Sequence, residues 1–63
     1  MRKKRNVVLE DLRVLSYAAG GKSIAKVDGK VIFIEGAVPG DVVDVRVSKN
    51  KKDWAEGKAI RIK

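Results

Sequence analysis

The 63-residue chain contains no cysteine and no histidine. Without these residues it can form no disulfide, no thiolate or imidazole zinc site and no cysteine-ligated iron–sulfur cluster. It also lacks the thiol nucleophile and the commonest general base, which argues against an autonomous enzyme. A chain of this length forms one small domain and buries only about 60% of the surface of its unfolded form, so we expect modest stability.

Long hydrophobic runs are also missing. No segment approaches the roughly 20 apolar residues that a membrane-spanning helix needs. The basic start at residues 1–5 is followed by Val7, Val8 and Leu9 and then at once by Glu10 and Asp11, whereas a secretory signal would continue with a longer apolar stretch. We therefore expect a cytoplasmic protein with no membrane partner.

Positive charge is what the sequence has in excess. Fifteen Lys and Arg residues face eight Asp and Glu residues, for a net charge of +7. Four of the cations lie in residues 1–6, which we interpret as a basic N-terminal tail before a domain of residues 7–63. A basic chain favours polyanionic partners, nucleic acid before an acidic membrane. The domain itself has a small excess of charge, so local clusters such as residues 46–52 must supply the attraction.

The hydrophobic pattern predicts strands. Residues 42–48 alternate with period two, and residues 23–27 and 30–34 are rich in β-branched residues. Asp28-Gly29 between the last two segments predicts a two-residue hairpin turn, because both positions need positive φ. That turn fixes a register in which Ala25 faces Ile32, Ile24 faces Phe33 and Lys22 faces Glu35.

Two further turns complete the predicted order. Pro39-Gly40 is typical of a type II turn, and residues 50–52 predict a second hairpin. The shortest loop pairs Lys49 with Asp53, Arg46 with Glu56 and Asp44 with Lys58. With a first strand in residues 12–18, the chain is predicted to be all-β, a small five-stranded antiparallel OB-like barrel.

Nucleic-acid binding needs cations for phosphates and rings for bases. The ring of Trp54 is predicted to be exposed, because the register places it with Arg46 and Glu56 on a polar face. Phe33 stays open between core and binding face, and Tyr17 is expected to be partly buried. No catalytic, cofactor or metal residues are assigned, since the serines have no base beside them. The candidate RNA-binding residues are Lys22, Lys26, Lys30, Phe33, Arg46, Lys49, Lys51, Lys52 and Trp54.

Four segments in this order carry a family resemblance: residues 18–26, 28–34, 38–45 and 49–56. Together they resemble the TRAM domain, most closely the N-terminal TRAM domain of bacterial RNA uracil-5-methyltransferases. The resemblance implies an OB-like barrel that delivers ribosomal or transfer RNA to a catalytic domain of the same parent chain. Such enzymes use S-adenosylmethionine, and many carry an iron–sulfur cluster. Neither the methyltransferase motifs nor the cluster cysteines are present, so we expect an excised, monomeric, non-catalytic domain without a cofactor.

Departures from the family pattern occur at Gly20, where an acidic residue is frequent, at Ser23, where glycine or alanine is frequent, and at Trp54, which replaces tyrosine or phenylalanine but keeps a ring. Alternative interpretations stay open. The chain could be a packing or regulatory domain that acts through protein contacts, the C-terminal domain of a methylthiotransferase, or a free-standing RNA chaperone. Membrane association through residues 1–5 has no apolar anchor to support it.

Overall fold

The computed structural model describes residues 7–63, so the predicted basic tail lies outside the described residues. Within residues 7–63, no helix is long and apolar enough to cross a membrane. A short 3₁₀ turn (Ala19–Gly21) lies between the second and third strands. The strands are β1 (Val7–Arg13), β2 (Ser16–Tyr17), β3 (Ser23–Val27), β4 (Lys30–Glu35), β5 (Val42–Asn50) and β6 (Trp54–Ile62).

One curled sheet contains all six strands, in the order β1-β5-β6-β4-β3-β2. Its two edge strands are consecutive in the chain. The amide of Val14, just after β1, donates to Asp41 O at 2.9 Å, and the amide of Leu15, just before β2, donates to Ile24 O at 2.8 Å. The chain therefore links the two edges of the sheet at this corner, and the result is an OB-like half-barrel.

The predicted all-β, OB-like class is confirmed, with two differences. The structure has six strands rather than five, because pairing begins at Val7 and the predicted first strand is divided at Val14 and Leu15. The predicted wholly antiparallel arrangement is wrong for one pair, since β4 and β6 run parallel. Two parallel strands must be joined by a connection that returns to the starting end of the sheet. Here β5, which lies between β4 and β6 in the chain, provides that connection.

The β3–β4 hairpin has the predicted register, with Ala25 opposite Ile32 and Ile24 opposite Phe33. Asp28 and Gly29 adopt φ angles of 51° and 82°, the left-handed pair that a type I′ turn requires. The Pro39-Gly40 turn is also confirmed. Gly40 has a φ of 97°.

The β5–β6 hairpin exists, but its predicted register is wrong. Val47 faces Gly57 and Arg46 faces Lys58, instead of Ala55 and Glu56. Two register shifts interrupt the pairing, one after Asp44 and one after Val47. The slip at Arg46 and Val47 is by two residues, which changes the cross-strand pairs there but leaves each side chain on its predicted face.

The core is built from small and branched side chains on the inner face of the sheet. Ser23 is also buried there, and its Oγ donates to Ala37 O at 2.6 Å, which satisfies the hydroxyl inside an apolar environment. The buried hydrophobic residues are Leu12, Val14, Ala25, Ile32, Ile34, Val43, Val45 and Ala55.

An ionic network holds the end of β6 against β1 and β5. The buried Asp44 carboxylate accepts a hydrogen bond from the Asp11 amide at 3.0 Å and lies 3.4 Å from Lys63 Nζ. Lys63 Nζ also lies 2.8 Å from Asp11 Oδ1. The Asp11 amide, helped by the charges of Lys63 and Arg61, holds the pKa of Asp44 below its usual value despite burial. The hydrogen bond to Asp11, with the neighbouring carboxylate charges, raises the pKa of Lys63.

Gly57 of β6 lies tightly against β5, with no room for a side chain. A Cβ at this position would overlap the Arg46 carbonyl oxygen and lie 2.7 Å from Val45 Cγ1. We expect Gly57→Ala to lower the free energy of unfolding by about 1–3 kcal/mol, the usual cost of overpacking. Chemical denaturation measures this, with the exposed neighbour Lys58→Ala as a control that stays within about 0.5 kcal/mol of the wild type. Equal stability of the two variants would contradict the close approach.

The Asp44–Lys63 contact predicts a pH-dependent stability. Because the folded pKa of Asp44 is lowered from 3.8, its contribution is present above that value and is lost as the pH falls through the folded pKa. The raised pKa of Lys63 acts in the other direction, since its contribution is present below 10.5 and is lost as the pH rises through the folded pKa.

The melting temperature should therefore fall on strong acidification, and the deficit of Lys63→Gln against the wild type should shrink below pH 3.8. Lys58→Gln serves as the control, because Lys58 forms no ion pair with any of residues 7–63. A Lys63→Gln deficit that is the same at pH 7 and at strong acid would show that the contact contributes no charge-dependent stability.

Candidate nucleic-acid interface

Two aromatic rings lie together on the outside of the sheet. Phe33 of β4 and Trp54 of β6 pack edge to face, with ring centroids 6.0 Å apart and planes inclined by 72°. Neither ring belongs to the buried core. We call this surface the outer face; its central members are Ile24, Lys26, Val31, Phe33, Trp54 and Glu56.

The alternation of the strands puts these residues there. Ala25, Ile32 and Ala55 form one row across β3, β4 and β6, and all three are buried. Successive side chains of a strand leave on opposite faces. The adjacent row, in which Lys26 pairs with Val31 and Val31 with Trp54, must therefore point outward.

The sequence-based expectations for the three rings have different outcomes. Trp54 points outward as predicted, although it is half-buried because it packs on Phe33. Phe33, left open by the sequence, also lies on the outer face and is half-buried. The expectation for Tyr17 is wrong: its ring is 65% exposed, because β2 is a two-residue edge strand with few neighbours to cover it.

Cations flank the rings on both sides. Lys26 on β3 and Lys49 on β5 are exposed, and Lys49 pairs across the strands with Glu56. Arg46 is exposed beside Lys58 and forms no ion pair with any of residues 7–63. The predicted Arg46–Glu56 pair is therefore replaced by two adjacent cations, which makes Arg46 available to an anion.

Lys22 is the most constrained of the predicted cations. Its ammonium lies 3.3 Å from Glu56 Oε2 and is half-buried, so part of its charge is already neutralised. The predicted partner was Glu35, but Lys22 precedes β3 and takes no part in the strand pairing. Glu56, which points outward from β6, is the acid within its reach.

The remaining predicted cations are Lys51 and Lys52, which lie in the β5–β6 loop, and Lys30, which lies away from the outer face. Lys51 and Lys52 are exposed in the β5–β6 loop, where the Lys51 amide donates to Trp54 O at 2.8 Å. Lys30 does not join the outer face. It pairs with Val27, and its ammonium donates to Asn50 Oδ1.

Lys30 and Asn50 border a cavity of about 330 Å³ at the open end of the half-barrel. The cavity lies between β1 and the β3–β4 hairpin. Its walls are apolar and its polar residues lie near the β3–β4 turn and the β5–β6 loop. The lining residues are Val7, Leu9, Val27, Asp28, Lys30, Ile32, Val47, Asn50 and Lys52.

Sequence reasoning missed Asn50 and Lys58. Asn50 was placed in the loop, whereas it is the last residue of β5 and pairs with Ala55, an inward position. Lys58 was placed on the polar face but was assigned to Asp44, which instead contacts Lys63 and Arg61. The alternation of β6 already indicated that Lys58 points outward with Trp54 and Glu56.

Comparisons with known proteins agree with this architecture. A solution structure of a conserved protein from Methanococcus maripaludis superimposes with a TM-score of 0.71 and 30% identity, covering 79% of this chain and 71% of that one. An uncharacterized RNA methyltransferase of Corynebacterium glutamicum is 47% identical over 51 residues. The 23S rRNA (uracil(1939)-C(5))-methyltransferase RlmD of Legionella pneumophila, strain Corby, is 41% identical over 59 residues.

These two relatives are much longer than the chain. The aligned part covers 81% and 94% of the chain, but only 12% and 13% of the two methyltransferases. The chain therefore corresponds to one small part of such enzymes. A family profile described as the TRAM domain matches residues 2–60. The chain belongs to the TRAM domain family.

Proposed function

We propose that the chain is an RNA-binding module that holds RNA on its outer face. The observation that carries this proposal is the contact between Phe33 and Trp54 on a face flanked by Lys26 and Lys49. Aromatic rings stack on bases and neighbouring cations bind the backbone phosphates, the combination that single-stranded RNA requires. Arg46, with Lys51 and Lys52 of the adjoining loop, extends the basic surface.

The relatives support a more specific role within the same proposal. Their names describe RNA methyltransferases, one of them acting on a uracil of 23S rRNA. In our proposal the module positions ribosomal or transfer RNA for an S-adenosylmethionine-dependent uracil-5-methyltransferase domain of a parent chain. The methyl donor belongs to that other domain. An iron–sulfur cluster would also belong elsewhere, because this chain has no cysteine to ligate it.

A packing role is the second candidate, and exposed side chains near the end of β6 favour it. Ile60 and Ile62 are 51% and 57% exposed, although branched apolar residues usually lie inside. They lie at the opposite end of β6 from Trp54. Contact with a neighbouring domain through these residues is compatible with RNA on the outer face.

Removal of the indole tests the proposed site. We expect Trp54→Ala to weaken binding of single-stranded RNA by about fivefold to 150-fold, because stacking on one ring contributes about 1–3 kcal/mol. Trp54→Phe keeps a ring and should retain most of the affinity. Fluorescence anisotropy with a labelled oligonucleotide measures both. The melting temperature of Trp54→Ala should fall by only a few degrees, since the indole lies outside the buried core.

Tyr17→Ala is the matched control, because it removes an exposed ring from β2 instead of from the outer face. It should leave the affinity unchanged. Unaltered RNA affinity in Trp54→Ala, or an equal loss in Tyr17→Ala, would contradict the proposed site. Global unfolding of Trp54→Ala would show instead that the indole is a core residue.

Salt dependence tests the phosphate contacts. If four phosphates of a single strand are engaged, the logarithm of the affinity should fall against the logarithm of the salt concentration with a slope of about −3. Replacing Lys49, Lys51 and Lys52 together by glutamine should reduce the magnitude of that slope by about 2. Arg13→Gln, an exposed cation on β1, should not alter it. An unchanged slope in the triple variant would place the phosphates elsewhere.

A further inference from the structure

We propose that the cavity at the open end of the half-barrel accepts one unstacked nucleobase that carries a carbonyl group, such as uracil or guanine. This inference rests on the proposed RNA-binding function and adds a second contact, distinct from the outer face. The cavity opens between β1 and the β3–β4 hairpin, and its volume of about 330 Å³ lies at the small end of the range of ligand sites.

The walls suit the flat faces of a base. Among residues 7–63 they are formed by aliphatic side chains: Leu9 from β1, Val27 from β3, Ile32 from β4 and Val47 from β5, together with Val7 at the beginning of β1. A base that leaves a stack exposes two apolar faces to water, and an apolar slot covers them again. A phosphate or a sugar alone would gain nothing from such walls.

The polar residues of the cavity suit the edge of the base. The Lys30 ammonium donates to Asn50 Oδ1, so the Asn50 Nδ2 group is the part of that amide left to donate. The Lys52 ammonium adds further donors, and Asp28 is the one acidic side chain among the lining residues. Donors therefore predominate, and they match carbonyl oxygens. Uracil and guanine have such oxygens, whereas adenine has none.

The β5–β6 loop connects this cavity to the outer face. Asn50 at the end of β5 and Lys52 in the loop both border the cavity. Lys51 is hydrogen-bonded through its amide to the carbonyl of Trp54. A strand of RNA that stacks on Trp54 and crosses the basic loop therefore has a neighbouring nucleotide at the edge of the cavity.

Methyl-detected NMR of the full 63-residue chain tests the proposal with single nucleotides. Uridine 5′-monophosphate should shift the methyl signals of Leu9, Val27 and Val47 and leave that of Ile24, on the outer face, in place. Adenosine 5′-monophosphate should shift the same signals at least about threefold more weakly, because adenine presents an amino donor where uracil presents a carbonyl acceptor to the Asn50 amide.

Asn50→Asp is the sharpest variant, because it replaces the amide donor by an acceptor without changing the shape of the side chain. It should weaken the binding of uridine 5′-monophosphate by about threefold to tenfold. Trp54→Ala should leave the shifts of the cavity methyl groups intact while weakening oligonucleotide binding. This pair of variants separates the cavity from the outer face.

Several results would overturn the proposal. They are shifts confined to the outer face, equal affinity for the two nucleotides, and unaltered uridine 5′-monophosphate binding in Asn50→Asp. Each of these removes the cavity site and leaves RNA binding by the outer face standing. If single-stranded RNA fails to bind the wild-type chain at all, the proposed function fails, and the nucleobase site fails with it.

Discussion

The burial of one row of small and branched side chains determines which residues lie on the outer face of this domain. Ala25, Ile32 and Ala55 pair across three strands and are almost completely buried. A 63-residue domain has few such rows, so none of them can be turned outward without exposing much of the core. Because side chains alternate, the next row, which contains Lys26, Val31 and Trp54, is forced to the outside. The basic and aromatic character of the outer face is therefore a consequence of how the core is packed.

The parts of the fold that could be predicted from the sequence are those governed by local chemistry. Asp28-Gly29 and Pro39-Gly40 specify their turns because their φ angles are chemically favoured. The outward position of Trp54 was predicted from the alternation of side chains along the strand. It is correct even though the predicted β5–β6 register is wrong. The β5–β6 register itself could not be predicted. We assumed the shortest possible hairpin loop, whereas the structure has a larger loop and two bulges. Bulges depend on tertiary packing, here the close approach at Gly57 and the buried Asp44.

The outline of the candidate site could be predicted from the sequence, but the division of its residues between the outer face and the cavity could not. Lys30 was grouped with the other lysines because it flanks a turn, yet in the structure it faces the cavity and contacts Asn50. Its position depends on the way the sheet curls, which no short sequence pattern encodes. Lys22 was predicted to face Glu35, but the acid that it contacts is Glu56 of β6, which the unpredicted parallel pairing of β4 and β6 brings into reach. The β5–β6 loop of residues 51–53 lies between the outer face and the cavity, and most of the proposed RNA contacts lie around it.

The most direct test of the account is to follow the backbone amides of the full chain during titration with single-stranded RNA. If the core packing presents an RNA-binding surface as we describe, the shifts should concentrate at Lys26, Phe33, Trp54 and the β5–β6 loop. Shifts confined to β1 and β2, or to residues 1–6, with the outer face unmoved, would contradict the central claim.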